Sequence, residues 1–140
     1  MEKDVWLYAD GTEDTSKTPY DYLFDYSSKL EKFTNGDIIG VVSECSPERE
    51  KEVIYGFTLV ATALNNYSYK LFEVVQKDAF SPFPVTMRLF RVDTEAPEEK
   101  NNVSEQDFEQ ELIKFIQHSS TRRALTALKT LIGKKRRYEV

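Results

Sequence analysis

The chain has 140 residues, 40% hydrophobic and 31% charged, the mixture expected of one globular domain spanning residues 1–140. Eight Tyr, nine Phe and one Trp supply enough large apolar surface for a core, which excludes a disordered or fibrous chain. The net charge of −5 is unevenly spread: residues 1–94 and 95–111 are each acidic by six, and residues 112–140 are basic by seven.

No apolar run approaches the roughly 20 residues that span a bilayer, so no membrane is expected. Met1-Glu2-Lys3-Asp4 has no apolar stretch behind it, which reads as no secretory signal. The single cysteine, Cys45, excludes an intramolecular disulfide framework and a multi-cysteine zinc site. A cytoplasmic protein is the expectation.

In chain order, Asp4 to Ala9 is short, apolar and β-prone, a first strand or an arm on the core. Thr18-Pro19 provides an N-cap with proline at the first helical position. Leu23, Tyr26, Leu30 and Phe33 follow at helical spacing and Asn35-Gly36 supplies the exit, predicting a helix over roughly 19–34. Ile38 to Val42 is a β-branched run read as a buried strand, and Cys45 to Glu52 a loop that has room for one helical turn. Val53 to Leu64 is apolar on both faces, as in a central or bent strand, and Asn65-Asn66 makes the turn into a returning strand, Tyr67 to Gln76. Pro82 and Pro84 forbid regular pairing within Lys77–Pro84, and Val85 to Val92 is the last strand.

Residues 93–103 are acidic and polar and read as a linker to the C-terminal helices. Ser104 with Asp107 approximates a capping box, and Phe108, Leu112, Phe115 and Ile116 form the stripe of the next helix. Ser119-Ser120-Thr121 offers a break with a fresh cap, after which Ala124, Leu125, Leu128, Leu131 and Ile132 keep helical spacing. Two helices follow, or one bent helix. Gly133 is expected to end them, leaving 134–140 as a basic tail. Strands and helices segregate along the chain. The fold expected is α+β: an antiparallel meander of about four strands, with an N-terminal helix and a C-terminal helical pair packed on it.

The chemistry-bearing residues are sparse. His118 is the single histidine and pairs with Cys45 only nominally as base and thiol, with Ser119 and Ser120 as weaker substitutes. One histidine and one cysteine without a ligand-spaced cluster provide no transition-metal site. Asp21 and Asp25 share a helix face at i, i+4 spacing, but a first-turn acid is ordinarily explained by the helix dipole. The five glycines never cluster, which excludes a P-loop and a dinucleotide fingerprint, so no cofactor is expected. Tyr55-Gly56-Phe57-Thr58-Leu59-Val60 is a partial match to an RNA-recognition strand, in the wrong element order, and core packing explains it better.

Two features remain as binding candidates. Phe80-Ser81-Pro82-Phe83-Pro84 is a rigid aromatic loop, and Phe80, Phe83, Tyr67 and Tyr69 are its candidate partner-binding residues. Arg122, Arg123, Lys134, Lys135, Arg136 and Arg137 are candidates for contact with phosphate or an acidic partner. The expectation is a non-catalytic protein-binding module of the small inhibitor, immunity or adaptor type. The alternative is a nucleic-acid-associated accessory factor using the basic C-terminal segment. A homodimer is compatible with either, as the C-terminal helices have the reach to swap.

Overall fold

The structure, a computed structural model, describes residues 16–92, 94 and 96–138; the β-prone segment Asp4–Ala9 lies outside them. Helix α1 (Pro19–Phe33) begins as the residues dictate. Thr18 Oγ1 accepts from the Asp21 N–H at 3.4 Å, and the Asp21 carboxylate accepts from the Thr18 N–H at 2.9 Å, satisfying two helix-end donors reciprocally. Asn35 and Gly36 exit through positive φ, 53° and 80°. The Thr34 hydroxyl then donates to the Ile38 carbonyl at 2.7 Å and accepts the Ile38 N–H, tying the helix to the first strand.

Five strands follow, β1 (Ile38–Cys45), β2 (Val53–Ala61), β3 (Tyr67–Asp78), β4 (Ser81–Leu89) and β5 (Glu98–Val103), paired antiparallel in sequence order. They form the expected antiparallel meander, with five strands. A 3-10 turn, Thr62–Leu64, replaces the expected end of β2, and Asn65 and Asn66 turn the chain at φ 55° and 61°. The β1–β2 segment is the expected loop, formed by turns with no helical turn in it. Pro82 and Pro84 do lie within β4, but the register skips there, from Asp78↔Ser81 to Gln76↔Val85, so no ladder bond is asked of either proline.

The helices cover one face of the sheet. Leu23 of α1 belongs with Phe57, Leu59, Phe72, Val74, Met87 and Val103 from the strands to one buried cluster. Phe108, Leu112 and Phe115 of α2 (Glu105–Ile116) and Ala124, Leu128 and Ile132 of α3 (Ser119–Tyr138) complete it. Phe72 stacks on Phe57 at 5.0 Å and meets Phe115 edge-on at 5.9 Å, joining sheet to helix. Gly40 leaves room for the Phe57 ring of β2 and for α1: a Cβ there would stand 2.5 Å from that ring and 3.2 Å from Ser27 Cβ of the helix. The other face carries Lys70, Glu73, Arg88 and Glu99, joined by ion pairs of 2.8–3.6 Å, and Glu48 of the β1–β2 loop reaches Arg88 across it at 3.1 Å.

Three expectations are corrected here. The acidic linker assigned to 93–103 is largely β5, in which Val103 alone is buried. Its charged residues are what an exposed edge strand needs to deter further pairing. Ser104 does cap α2, but its side chain makes no capping bond to the backbone; its hydroxyl meets Asp107 Oδ2 at 3.3 Å instead. Gly133 does not end α3, which runs on to Tyr138, so residues 134–138 are helix rather than tail. Lys135 donates to the Ala63 carbonyl at 2.7 Å, and Arg136 grips Asp37 with both guanidinium nitrogens, one at 2.9 Å. Tertiary contacts hold turns that the glycine would have released. The break between α2 and α3 is real: His118 Nδ1 accepts the Ser120 N–H at 3.0 Å and Thr121 Oγ1 donates to the Phe115 carbonyl at 2.7 Å.

Candidate binding cleft between the helices

Helix α1 packs on β1, at one side of the sheet, whereas α2 packs on β4 and β5. The centre of the sheet is therefore left as the floor of a cleft of about 390 Å³, a volume within the range of ligand sites. Phe57, Leu59 and Leu71 form the floor, Tyr26, Leu30 and Phe33 one wall, and Ile116, Thr121 and Leu125 the other. The lining is almost wholly apolar, because the polar groups that reach it are already engaged. The Thr121 hydroxyl is spent on the Phe115 carbonyl, and the Tyr26 hydroxyl donates to Glu109 Oε2 at 3.0 Å, bridging α1 to α2. Burial and the Glu109 carboxylate push the Tyr26 phenol above its ordinary pKa, which keeps it a neutral donor.

The rim is basic and aromatic. Phe33 is 75% exposed, and Lys129 of α3 lies over its ring at 4.9 Å. Lys29 lies over the Tyr26 ring at 4.4 Å. Among the described residues neither ammonium is in an ion pair. An apolar slot flanked by two such cations suits an apolar group carried beside negative charge.

The residues singled out in the sequence do not assemble into a site. Phe80, 95% exposed, caps the β3–β4 turn, whereas Tyr67 stands at the opposite end of β3, roughly 36 Å away at strand rise. Phe83 turns inward against Phe108, 5.4 Å between centroids, and the Tyr69 hydroxyl donates to the Phe90 carbonyl at 3.1 Å. These four residues are not brought together in one patch: Phe83 and Tyr69 serve packing, and Phe80 and Tyr67 project at opposite ends. The basic set is likewise divided. Arg122 and Arg123 lie in the first turn of α3 and Lys134–Arg137 in its last, roughly 18 Å along the axis, with Lys135 and Arg136 bound to the body of the fold. The contact of Arg136 with Asp37 holds that carboxyl below its usual pKa, through the Arg136 hydrogen bonds first and its charge second.

Cys45 and His118 stand on β1 and beside β5, opposite edges of the sheet, four strand spacings or roughly 19 Å apart. Cys45 Sγ is 3.5 Å from Lys70 Nζ, and His118 Nε2 is 3.1 Å from Glu98 Oε2. The hydrogen-bonded Glu73 carboxylate raises the Lys70 pKa above the usual lysine value. Asp21 and Asp25 do not act together either: Asp21 caps α1 and Asp25 pairs with Lys17 at 2.6 Å. The Tyr55–Val60 strand turns Phe57 into the core, so it presents no stacking platform there.

The cleft was missed in the sequence, although one sign of it was present. Phe33 and Tyr26 extend the apolar arc of α1 to one side of Leu23, wider than contact with one sheet requires. No known protein family, curated protein or solved structure matches the chain.

Proposed function

We propose that this chain is a non-catalytic, cytoplasmic protein-binding module, of the kind that serves as a small inhibitor, immunity protein or adaptor, and that it engages its partner at the cleft between α1 and the α2–α3 pair. The observation that carries the reading is an open apolar slot beneath an exposed Phe33 with Lys29 and Lys129 at its lip. Such a groove accepts an amphipathic helix or aromatic anchor flanked by acidic residues, the mode in which apolar anchors give affinity and rim charges give steering. The lone thiol suits a reducing compartment.

Site-specific photo-crosslinking tests it. A benzophenone side chain replacing Phe33 should capture a discrete protein adduct in the host cell, and Lys29→Glu combined with Lys129→Glu should abolish the adduct. The same group replacing Phe80 should capture nothing. An adduct at position 80 alone would return the site to the β3–β4 turn, and adducts at neither position would remove the binding-module reading. Retention of nucleic acid through Arg122 and Arg123 would favour the accessory-factor alternative instead.

A further inference from the structure

The floor and walls of the cleft are apolar, and its lip carries cations on opposite sides, Lys29 on α1 and Lys129 on α3. Helix α3 adds a surface of seven bases and no acid. The complementary ligand is a short aromatic or apolar block held between acidic residues. The chain itself contains one. Val5-Trp6-Leu7-Tyr8-Ala9 is bounded by Asp4 and Asp10, and residues 1–15 carry five acids and one base, a net charge of −4.

Position favours the same pairing. The flank of α1 that faces α2 carries Tyr22, which meets Phe108 edge-on at 5.3 Å, and Tyr26, which bridges to Glu109. Lys17, two residues before the helix, is fastened to that flank: its Nζ lies over the Tyr22 ring at 4.9 Å and pairs with Asp25 at 2.6 Å. The cleft wall at Tyr26 and Leu30 lies nine to thirteen positions beyond Lys17, roughly 14–20 Å along α1. Eight positions separate Lys17 from Ala9, enough for roughly 26 Å of extended chain. The apolar block reaches the slot with slack.

We propose that the cleft, when no partner fills it, takes this chain's own segment Asp4–Asp10 in cis, the apolar block in the slot and the flanking acids beside Lys29 and Lys129. The segment is a displaceable plug. A tether this short holds it at an effective concentration on the order of mM, so a weak contact suffices to fill the slot. A partner of the same chemistry must bind more tightly than the plug to displace it, which sets a threshold for engagement. Until then the plug shields an apolar surface that would otherwise invite non-specific association. This inference rests on the cleft being the binding site proposed above, and it names what competes there.

Trp6 is the one tryptophan of the sequence, so its fluorescence in the full chain reports on the segment alone. Its emission should be blue-shifted and its quenching by acrylamide several-fold weaker than that of N-acetyltryptophanamide, both independent of protein concentration. Lys29→Glu combined with Lys129→Glu, and separately Leu125→Glu, should shift the emission to the red and restore quenching, with circular dichroism to confirm each fold. Both lysines are exposed, so the double variant decides the matter should Leu125→Glu unfold. A benzophenone at position 33 should also form an intramolecular crosslink within residues 4–10, read by mass spectrometry, and deleting residues 1–15 should raise the yield of the partner adduct there. A freely quenched Trp6, protection indifferent to the cleft variants, or protection that grows with concentration and so belongs to a second copy would each overturn the proposal. The two readings fail separately. An exposed Trp6 removes the plug while a partner adduct at position 33 stands, and absence of any partner adduct removes the partner while Trp6 still decides the plug.

Discussion

Leu112→Ala tests the packing of the C-terminal helices on the sheet. Leu112 is fully buried and lies in the same cluster as Phe57, Phe72 and Met87 from the strands. Truncation to alanine removes three methylene equivalents, about 2.4 kcal/mol at ~0.8 kcal/mol each if the surroundings collapse fully into the space. A rigid site that keeps its cavity raises the loss to about 5 kcal/mol. Phe108 and Phe115 flank the position on the same face of α2 and oppose collapse, so the expected loss is about 3–5 kcal/mol. For 140 residues the unfolding entropy is on the order of 0.3 kcal/mol per degree, which converts that loss into a fall in Tm of about 10–17 °C. Thermal unfolding by circular dichroism measures it, and urea titration should show a lower midpoint with an unchanged slope. Leu131→Ala on the same helical pair, 46% exposed, should cost less than about 1 kcal/mol and serves as the comparison. A Leu112→Ala shift no larger than that of Leu131→Ala would refute the helix-on-sheet core.

Asp37→Asn should lower stability near neutral pH. Because Arg136 depresses the Asp37 pKa below its ordinary 3.8, the wild-type advantage is fully present above that value and is lost as pH falls through the lower, folded-state value. Melting curves of both proteins should converge under strongly acidic conditions, and a gap that persists there would contradict the ion pair. Truncation after Gly133 should destabilise measurably, since it removes both the Arg136–Asp37 contact and the charged Lys135 bond to the Ala63 carbonyl, the latter contributing about 1.5 kcal/mol; an unchanged Tm would restore residues 134–138 to the status of a tail. Phe80→Ser should leave stability within about 0.5 kcal/mol of wild type, whereas Phe83→Ala, which loses its edge-on contact with Phe108, should cost at least about 1 kcal/mol by the same melting assay.

Much of the fold was legible in the residues because it rests on local rules. Thr18-Pro19 opens α1, Asn35-Gly36 closes it and Asn65-Asn66 turns β2 into β3, each through a backbone preference that no distant contact overrides. The apolar periodicity of Phe108, Leu112 and Phe115 likewise identifies a core face without knowledge of what it meets. Ile38–Val42, read as a buried strand, proves instead to be an edge strand in which Ile38 alone is buried, because its apolar run says nothing of which neighbours cover it. Glu98–Val103 was illegible for a physical reason. An edge strand exposed on most of its positions has no apolar alternation to display, and its pairing depends on β4 standing beside it. Gly133 misled for the opposite reason: its local preference to stop the helix is worth about 1 kcal/mol, less than the Asp37 and Ala63 contacts gathered a turn later. The binding surfaces belong wholly to the tertiary structure. The cleft exists because α1 sits over β1 and α2 over β4 and β5, bringing Lys29 and Lys129, a hundred residues apart, to one rim. The aromatic residues around Phe80 are close in sequence, yet β3 carries them to opposite ends of the sheet. Local sequence determines which elements form, and the packing of distant elements determines what surface they present.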